Sequence, residues 1–442
     1  MIRLDHARIV TGAAVLEGSL GIEGEKIAGI WTEEDFPEAE QIIDLQGLTV
    51  FAGGVDAHVH FREPGLTRKA DFDSESRAAL LGGVTSVLDM PNTLPPTTTA
   101  EHLREKKALA AAKSHVHYGF HIGATNDNLE EILPCVRHGE AAGIKVFMGS
   151  STGGMLVDKT ETLRKIFAVT DAEILVHSED EQIIRANLEA AQGKYGTAIP
   201  FSAHPQIRSR EACIRSTAKA LEMAMQLGTR LHVLHVTTRE EINMIREAKR
   251  YNPAILAETS ANYLWFSDGD YDRLGGRIKC NPAVKTKEDR AALRRALADG
   301  VIDTIGSDHA PHLAEEKARP YLECPSGVPS IQQSLPVLLT IARQENIPLS
   351  RIARVFSEAP AEAFGIEGRG RLETGCKADL VIVDPDAPAS TDNAGKCGWS
   401  PYEGEDLRGA VKMVFLNGKA VVENGQLIPE LPIGESLTFK RS

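Results

Sequence analysis

The chain has 442 residues, 42% of them hydrophobic and 25% charged, with a formal net charge of −13 at pH 7. That length can bury a large core and exceeds one ordinary compact domain, so a big catalytic domain with a smaller companion is expected. The acidic balance argues against nucleic acid and against an acidic membrane surface as partners, and any small anionic substrate would need a local cationic pocket.

Residues 1–10 carry charges throughout and have no apolar h-region, so they do not read as a secretory signal. No run of about 18 apolar residues follows, so no membrane span is expected. Short strand-like pieces at 7–10, 18–22, 27–31 and 41–45 are echoed at 379–384, 411–416 and 420–422. Asn417-Gly418 between the last two is a hairpin signal. Together they predict a small β domain built from both termini, 1–50 with 371–442.

Between them lie eight short apolar segments: 50–58, 84–90, 116–122, 144–148, 173–177, 231–236, 254–258 and 302–307. Helical compositions at 101–112, 210–227 and 239–249 separate some of them. Strands alternating with helices indicate a parallel sheet, and eight such units predict a (β/α)8 barrel over 51–370. The six cysteines, Cys135, Cys213, Cys280, Cys324, Cys376 and Cys397, show no CxxC spacing. They read as reduced thiols of a cytoplasmic protein.

Catalytic groups of such barrels gather at the C-terminal strand ends. The first strand ends in Asp56-Ala57-His58-Val59-His60-Phe61-Arg62. Side chains two apart on a strand share a face, so His58 and His60 can bind one ion and Arg62 continues the alternation as an anion clamp. His177 ends the fifth segment, His235 lies near the end of the sixth and Asp308 follows the eighth. Imidazoles with a carboxylate suit zinc or another borderline divalent ion. His232 and His235 should face opposite ways, and His235 is preferred because it is nearer the strand end. Ordinary readings stand beside these: a surface histidine at 177, a helix cap at 308.

Lys145 lies within the apolar segment Ile144-Lys145-Val146-Phe147-Met148, where a buried ammonium is costly and burial favours the neutral amine. Such an amine can capture CO2 as a carbamate that bridges two cations. It can equally snorkel to the barrel mouth or pair with a carboxylate. Asn92 in Met90-Pro91-Asn92-Thr93 and the segment Lys279-Cys280-Asn281-Pro282 are placed to meet a substrate, and 311–329 is a candidate loop over the pocket.

Taken together, Gly53-Gly54-Val55-Asp56-Ala57-His58-Val59-His60-Phe61-Arg62-Glu63-Pro64-Gly65, Met90-Pro91-Asn92-Thr93, Ser307-Asp308-His309-Ala310-Pro311-His312 and Ala378-Asp379-Leu380-Val381 carry a resemblance. The chain resembles the cyclic amidohydrolases of the amidohydrolase superfamily, and among them the dihydroorotase branch most closely. The resemblance implies a (β/α)8 barrel with a small β-sandwich and two zinc ions held by His58, His60, carbamylated Lys145, His177, His235 and Asp308. It further implies that Arg62, Asn92 and His312 hold a substrate carboxylate while Asn281 and the loop near Gly327 meet the ring. The implied reaction interconverts N-carbamoyl-L-aspartate and L-dihydroorotate in pyrimidine synthesis, in a homodimer. Hydantoinase, dihydropyrimidinase and allantoinase chemistry, or a non-catalytic scaffold, are the alternatives.

Overall fold

The computed structural model describes residues 1–33, 36–149 and 155–440. Eight parallel strand positions surround the core. Gly54–Val59, Val84–Asp89 and His117–Phe120 form one ladder, and Ile122–Gly123, Ile144–Phe147, Glu173–His177, Arg230–Val233, Leu256–Thr259 and Thr304–Ile305 form another. The third segment is thus broken at His121, where the chain passes from one ladder to the other. A parallel bridge between Val59 and His309 closes the ring on the opposite side, helped by His60 N–H donating to the His309 carbonyl at 2.8 Å. The fold is a (β/α)8 barrel.

Local chemistry sets the outer helices. Ala100–Lys113 starts where the Thr99 hydroxyl accepts from His102 N–H, and Arg210–Leu227 starts where Ser209 accepts from Ala212 N–H. Arg239–Ala248 opens on a capping box between Thr238 and Glu241. Helix Arg210–Leu227 ends on Gly228 at φ 69°, a left-handed stop that a glycine adopts without strain.

The two ends of the chain share a nine-stranded sheet. Its order runs Gln426–Leu427, Lys419–Glu423, Arg408–Leu416, Leu380–Pro388, Thr49–Ala52, Ile2–Val10, Val15–Glu23 and Lys26–Trp31, with Gln41–Asp44 also beside Ile2–Val10. Two later stretches leave this sheet for the barrel. Leu437 N–H donates to Tyr118 O and Tyr118 N–H to Glu435 O, so the tail runs along the third barrel strand. The excursion after Pro388 reaches the barrel mouth, where Trp399 Nε1 donates to the His312 carbonyl at 2.7 Å. No described helix is long and apolar enough to cross a membrane.

Candidate metal centre and substrate pocket

His58, His60, Arg62, Asn92, Lys145, His177, His235, Asn281, Asp308, His312 and Gly327 all line one cavity of about 260 Å³ at the C-terminal end of the barrel. Every site residue singled out from the sequence is therefore in it, joined by Phe147, Ala310, Pro325 and Ser326.

Strand alternation does not bring all of them there. Strand Arg230–Val233 ends before His235, which reaches the cavity from a left-handed turn at φ 40°. His232 stays in the barrel interior, stacked on Phe364 with its Nε2 3.0 Å from Thr304 Oγ1. Arg62 and Asp308 are left-handed too, at φ 67° and 49°. Such conformations cost about 1–3 kcal/mol each in a non-glycine residue and persist only where the surroundings impose them.

The imidazoles are oriented from behind. His58 Nδ1 lies 2.7 Å from Glu258 Oε1, His60 Nδ1 2.7 Å from Asn92 Oδ1 and His177 Nε2 2.8 Å from Glu179 Oε2. Each oxygen accepts a hydrogen bond from the N–H of that nitrogen, which leaves the opposite nitrogen with a lone pair. For His58 and His60 the opposite Nε2 atoms converge on Asp308 Oδ1, at 3.3 and 3.0 Å. Rings His58–His235 and His177–His235 have centroids 5.5 and 4.6 Å apart.

Burial sets the charges. It holds His58, His177 and His235 below the ordinary imidazole value, so the rings are neutral donors. It also pulls Lys145 down to about 7. For Asp308, burial alone would act upward, but the His60 ring 3.0 Å away, then His235 and Lys145, keep the carboxyl below its usual range. Neutral imidazoles, an ionised carboxylate and a readily neutralised amine around one cavity fit a divalent cation. His58, His60 and Asp308 already place one ligand atom each within 4.8 Å of the others. His235 Nδ1 is a further buried polar atom with no hydrogen-bond partner among the described residues.

The other wall of the cavity is cationic. Arg62 is buried, its Nε donating to Pro311 O at 3.1 Å and its Nη2 3.1 Å from His312 Nε2. Burial lowers it to about 10, so it remains charged at neutral pH. Lys69 Nζ lies 2.8 Å from His312 Nδ1. Burial, then Arg62, Lys69 and Lys317, hold His312 far below its usual value, which makes it a neutral ring. Asn281 Oδ1 is buried with no hydrogen-bond partner among the described residues. The 311–329 loop roofs the cavity and is pinned by Lys317, whose Nζ donates to the carbonyls of Lys279, Pro325 and Gly327 at 2.9, 2.8 and 2.8 Å.

Sequence reasoning passed over Glu258, Glu179, Arg208, Lys69 and Trp399. Glu179 stands two residues from His177, whereas the partners of the other four are remote in sequence and no local spacing marks them. It also missed a buried ion pair behind the HxHxR run. Lys106 Nζ lies 2.6 Å from Asp89 Oδ2 and donates to Met90 O at 2.7 Å, while Asp89 Oδ1 accepts the Phe61 N–H at 2.7 Å. Replacing Lys106 by methionine leaves that carboxylate uncompensated in the core. The expected cost is about 3–5 kcal/mol, read as a lower urea midpoint at unchanged slope.

A closed parallel barrel that gathers imidazoles, a lysine and a carboxylate at its C-terminal mouth defines a metal-dependent hydrolase. The model of the amidohydrolase family matches residues 49–421. The dihydroorotase of Methanosarcina acetivorans is 36% identical over 92% of this chain and 88% of its own length. The allantoinase of Streptomyces avermitilis is 31% identical over 96% of both chains. The solved L-hydantoinase from Arthrobacter aurescens superimposes with a TM-score of 0.94 at 30% identity, covering 99% of each chain. The chain belongs to the amidohydrolase family, as a metal-dependent cyclic amidohydrolase.

Proposed function

We propose that this chain is a dihydroorotase, interconverting L-dihydroorotate and N-carbamoyl-L-aspartate. The observation that carries the choice is the buried Arg62, fixed by Pro311 O and set beside neutral His312 in an otherwise acidic protein. A guanidinium fork suits a carboxylate, and dihydroorotate bears one on its ring where hydantoin, dihydropyrimidine and allantoin rings do not. In this reading Arg62, Asn92 and His312 hold that carboxylate, while Asn281 and the backbone at Gly327 meet the ring.

His58, His60, His177, His235, Asp308 and a carbamylated Lys145 would hold two zinc ions. Bound there, the ions supply Lewis acidity, acidifying water and polarising the ring amide carbonyl. Asp308 accepts the proton released as water attacks and delivers it to the departing ring nitrogen. In reverse, Asp308 returns the proton as the ring closes and water leaves. The loop pinned by Lys317 limits solvent access to the cavity. We also take the chain as a cytoplasmic homodimer, with 1–50 and 371–442 as one unit beside the 51–370 barrel.

The carbamate would form when the neutral Lys145 amine bonds to the carbon of CO2, a C=O electron pair moves onto oxygen and the extra nitrogen proton is lost to solvent. Lys145→Ala is expected to lower bound zinc from two ions towards one or none by elemental analysis. Full occupancy in that variant would remove the lysine from the centre.

The deciding assay follows loss of L-dihydroorotate in the ultraviolet with zinc-loaded and chelator-stripped protein, beside hydantoin and allantoin. Zinc-dependent turnover confined to dihydroorotate is expected. Turnover of a neutral ring instead would keep the centre and replace the substrate, and no turnover of any ring would leave a scaffold.

A further inference from the structure

We infer that Lys69 is a positioning residue that fixes the proton of His312 on Nε2, so that His312 and Arg62 turn two donors towards one anionic oxygen. The inference rests on the carboxylate reading of the pocket given above. Two successive turns bring Lys69 into place. Leu66 N–H donates to Arg62 O at 3.0 Å and Lys69 N–H to Leu66 O at 2.9 Å, so the chain folds back beside the arginine it has just left. The partly buried Lys69 side chain then sets its Nζ 2.8 Å from His312 Nδ1 and 3.3 Å from Glu316 Oε2. On the other side of the ring, Nε2 lies 3.1 Å from Ser326 O.

These partners agree on where the proton sits. A carbonyl can only accept, so Ser326 O needs an N–H on Nε2, and the neutral ring then has its lone pair on Nδ1, where Lys69 donates. The assignment does not turn on the charge of Lys69, because an uncharged amine also has an N–H to give. The third neighbour is left over. Arg62 Nη2 lies 3.1 Å from the same Nε2, and a guanidinium only donates, so this contact sets donor against donor. Among the described residues Arg62 then keeps one acceptor, Pro311 O. A carboxylate oxygen has lone pairs enough to take a hydrogen bond from both groups at once. Without Lys69 the other tautomer gains: Arg62 would donate a charge-assisted bond to a bare Nε2, which outweighs the neutral bond to Ser326 O. Arginine and histidine would then satisfy each other, and the wall would offer the substrate one donor fewer.

Two readouts test this, and the first needs no activity. Nitrogen NMR of histidine-labelled protein, with the His312 signals assigned by their loss in His312→Gln, should show the proton on Nε2 in the wild type and on Nδ1 in Lys69→Met. In the zinc-loaded protein, Lys69→Met should raise KM for L-dihydroorotate about 10-fold and leave kcat within about threefold, the pattern of a lost binding contact. Lys69→Arg, which keeps a donor, should restore both the tautomer and KM. A wild-type ring protonated on Nδ1, or on both nitrogens, overturns the inference whether or not any variant folds. An unchanged KM in Lys69→Met, while the wild type turns over dihydroorotate, overturns it alone and leaves the substrate reading standing. A wild type that does not turn over dihydroorotate overturns that reading and this inference with it.

Discussion

Replacing Arg62 by alanine is expected to lower kcat/KM for dihydroorotate by two to three orders of magnitude. The guanidinium would contribute two charge-assisted hydrogen bonds to the substrate carboxylate, together about 3–4 kcal/mol, at about 1.4 kcal/mol per tenfold. Because the same side chain holds Pro311 O, some of the loss would come from the loop. Arg62→Lys separates the two: a point charge remains but the fork is gone, and an intermediate loss is expected. Zinc content should stay at the wild-type level in both variants, since neither touches the ligand set. Unchanged turnover in Arg62→Ala would remove the carboxylate from the substrate and favour a neutral ring.

Asp308→Asn should be more damaging to kcat than to KM. The amide keeps the size of the carboxylate and an oxygen facing the two Nε2 atoms, but it cannot take up a proton. General acid–base groups contribute about 10²- to 10⁴-fold, and a loss of that size is expected in steady-state turnover of the zinc-loaded variant. A step made only in the transition state lowers kcat and kcat/KM together. If the variant kept more than about a tenth of wild-type kcat with zinc bound, another group would have to carry the proton.

The strand ends were legible in the sequence because each ligand type there follows an apolar, β-branched run. That pattern puts His58, His177 and Asp308 at strand ends, and HxHxR, MPNT and DHAPH together carried the family resemblance that makes them candidate ligands. His235 was preferred over His232 for its place nearer the strand end, and it does line the cavity, but by a route alternation does not describe: the strand stops at Val233 and a left-handed residue turns the ring inward. The support behind His58 was out of reach. Glu258 is 200 residues from His58, and the contact exists only once the barrel closes. Trp399 sits in a stretch read as part of the small β unit, and its hydrogen bond to His312 O spans 87 residues.

That last bond ties the substrate wall to the far end of the chain. The barrel strands that bear the candidate metal ligands finish at Ile305, yet the loop carrying His312 is fastened by Trp399, and Lys396 reaches back to Asp71 and Thr67 near Lys69. A chain cut between 388 and 396 would keep every candidate ligand while releasing the clamp. Part of the support for the loop that carries His312 is thus encoded in a stretch that holds none of the candidate ligands, so relatives could keep those ligands and reshape this wall by varying that stretch alone.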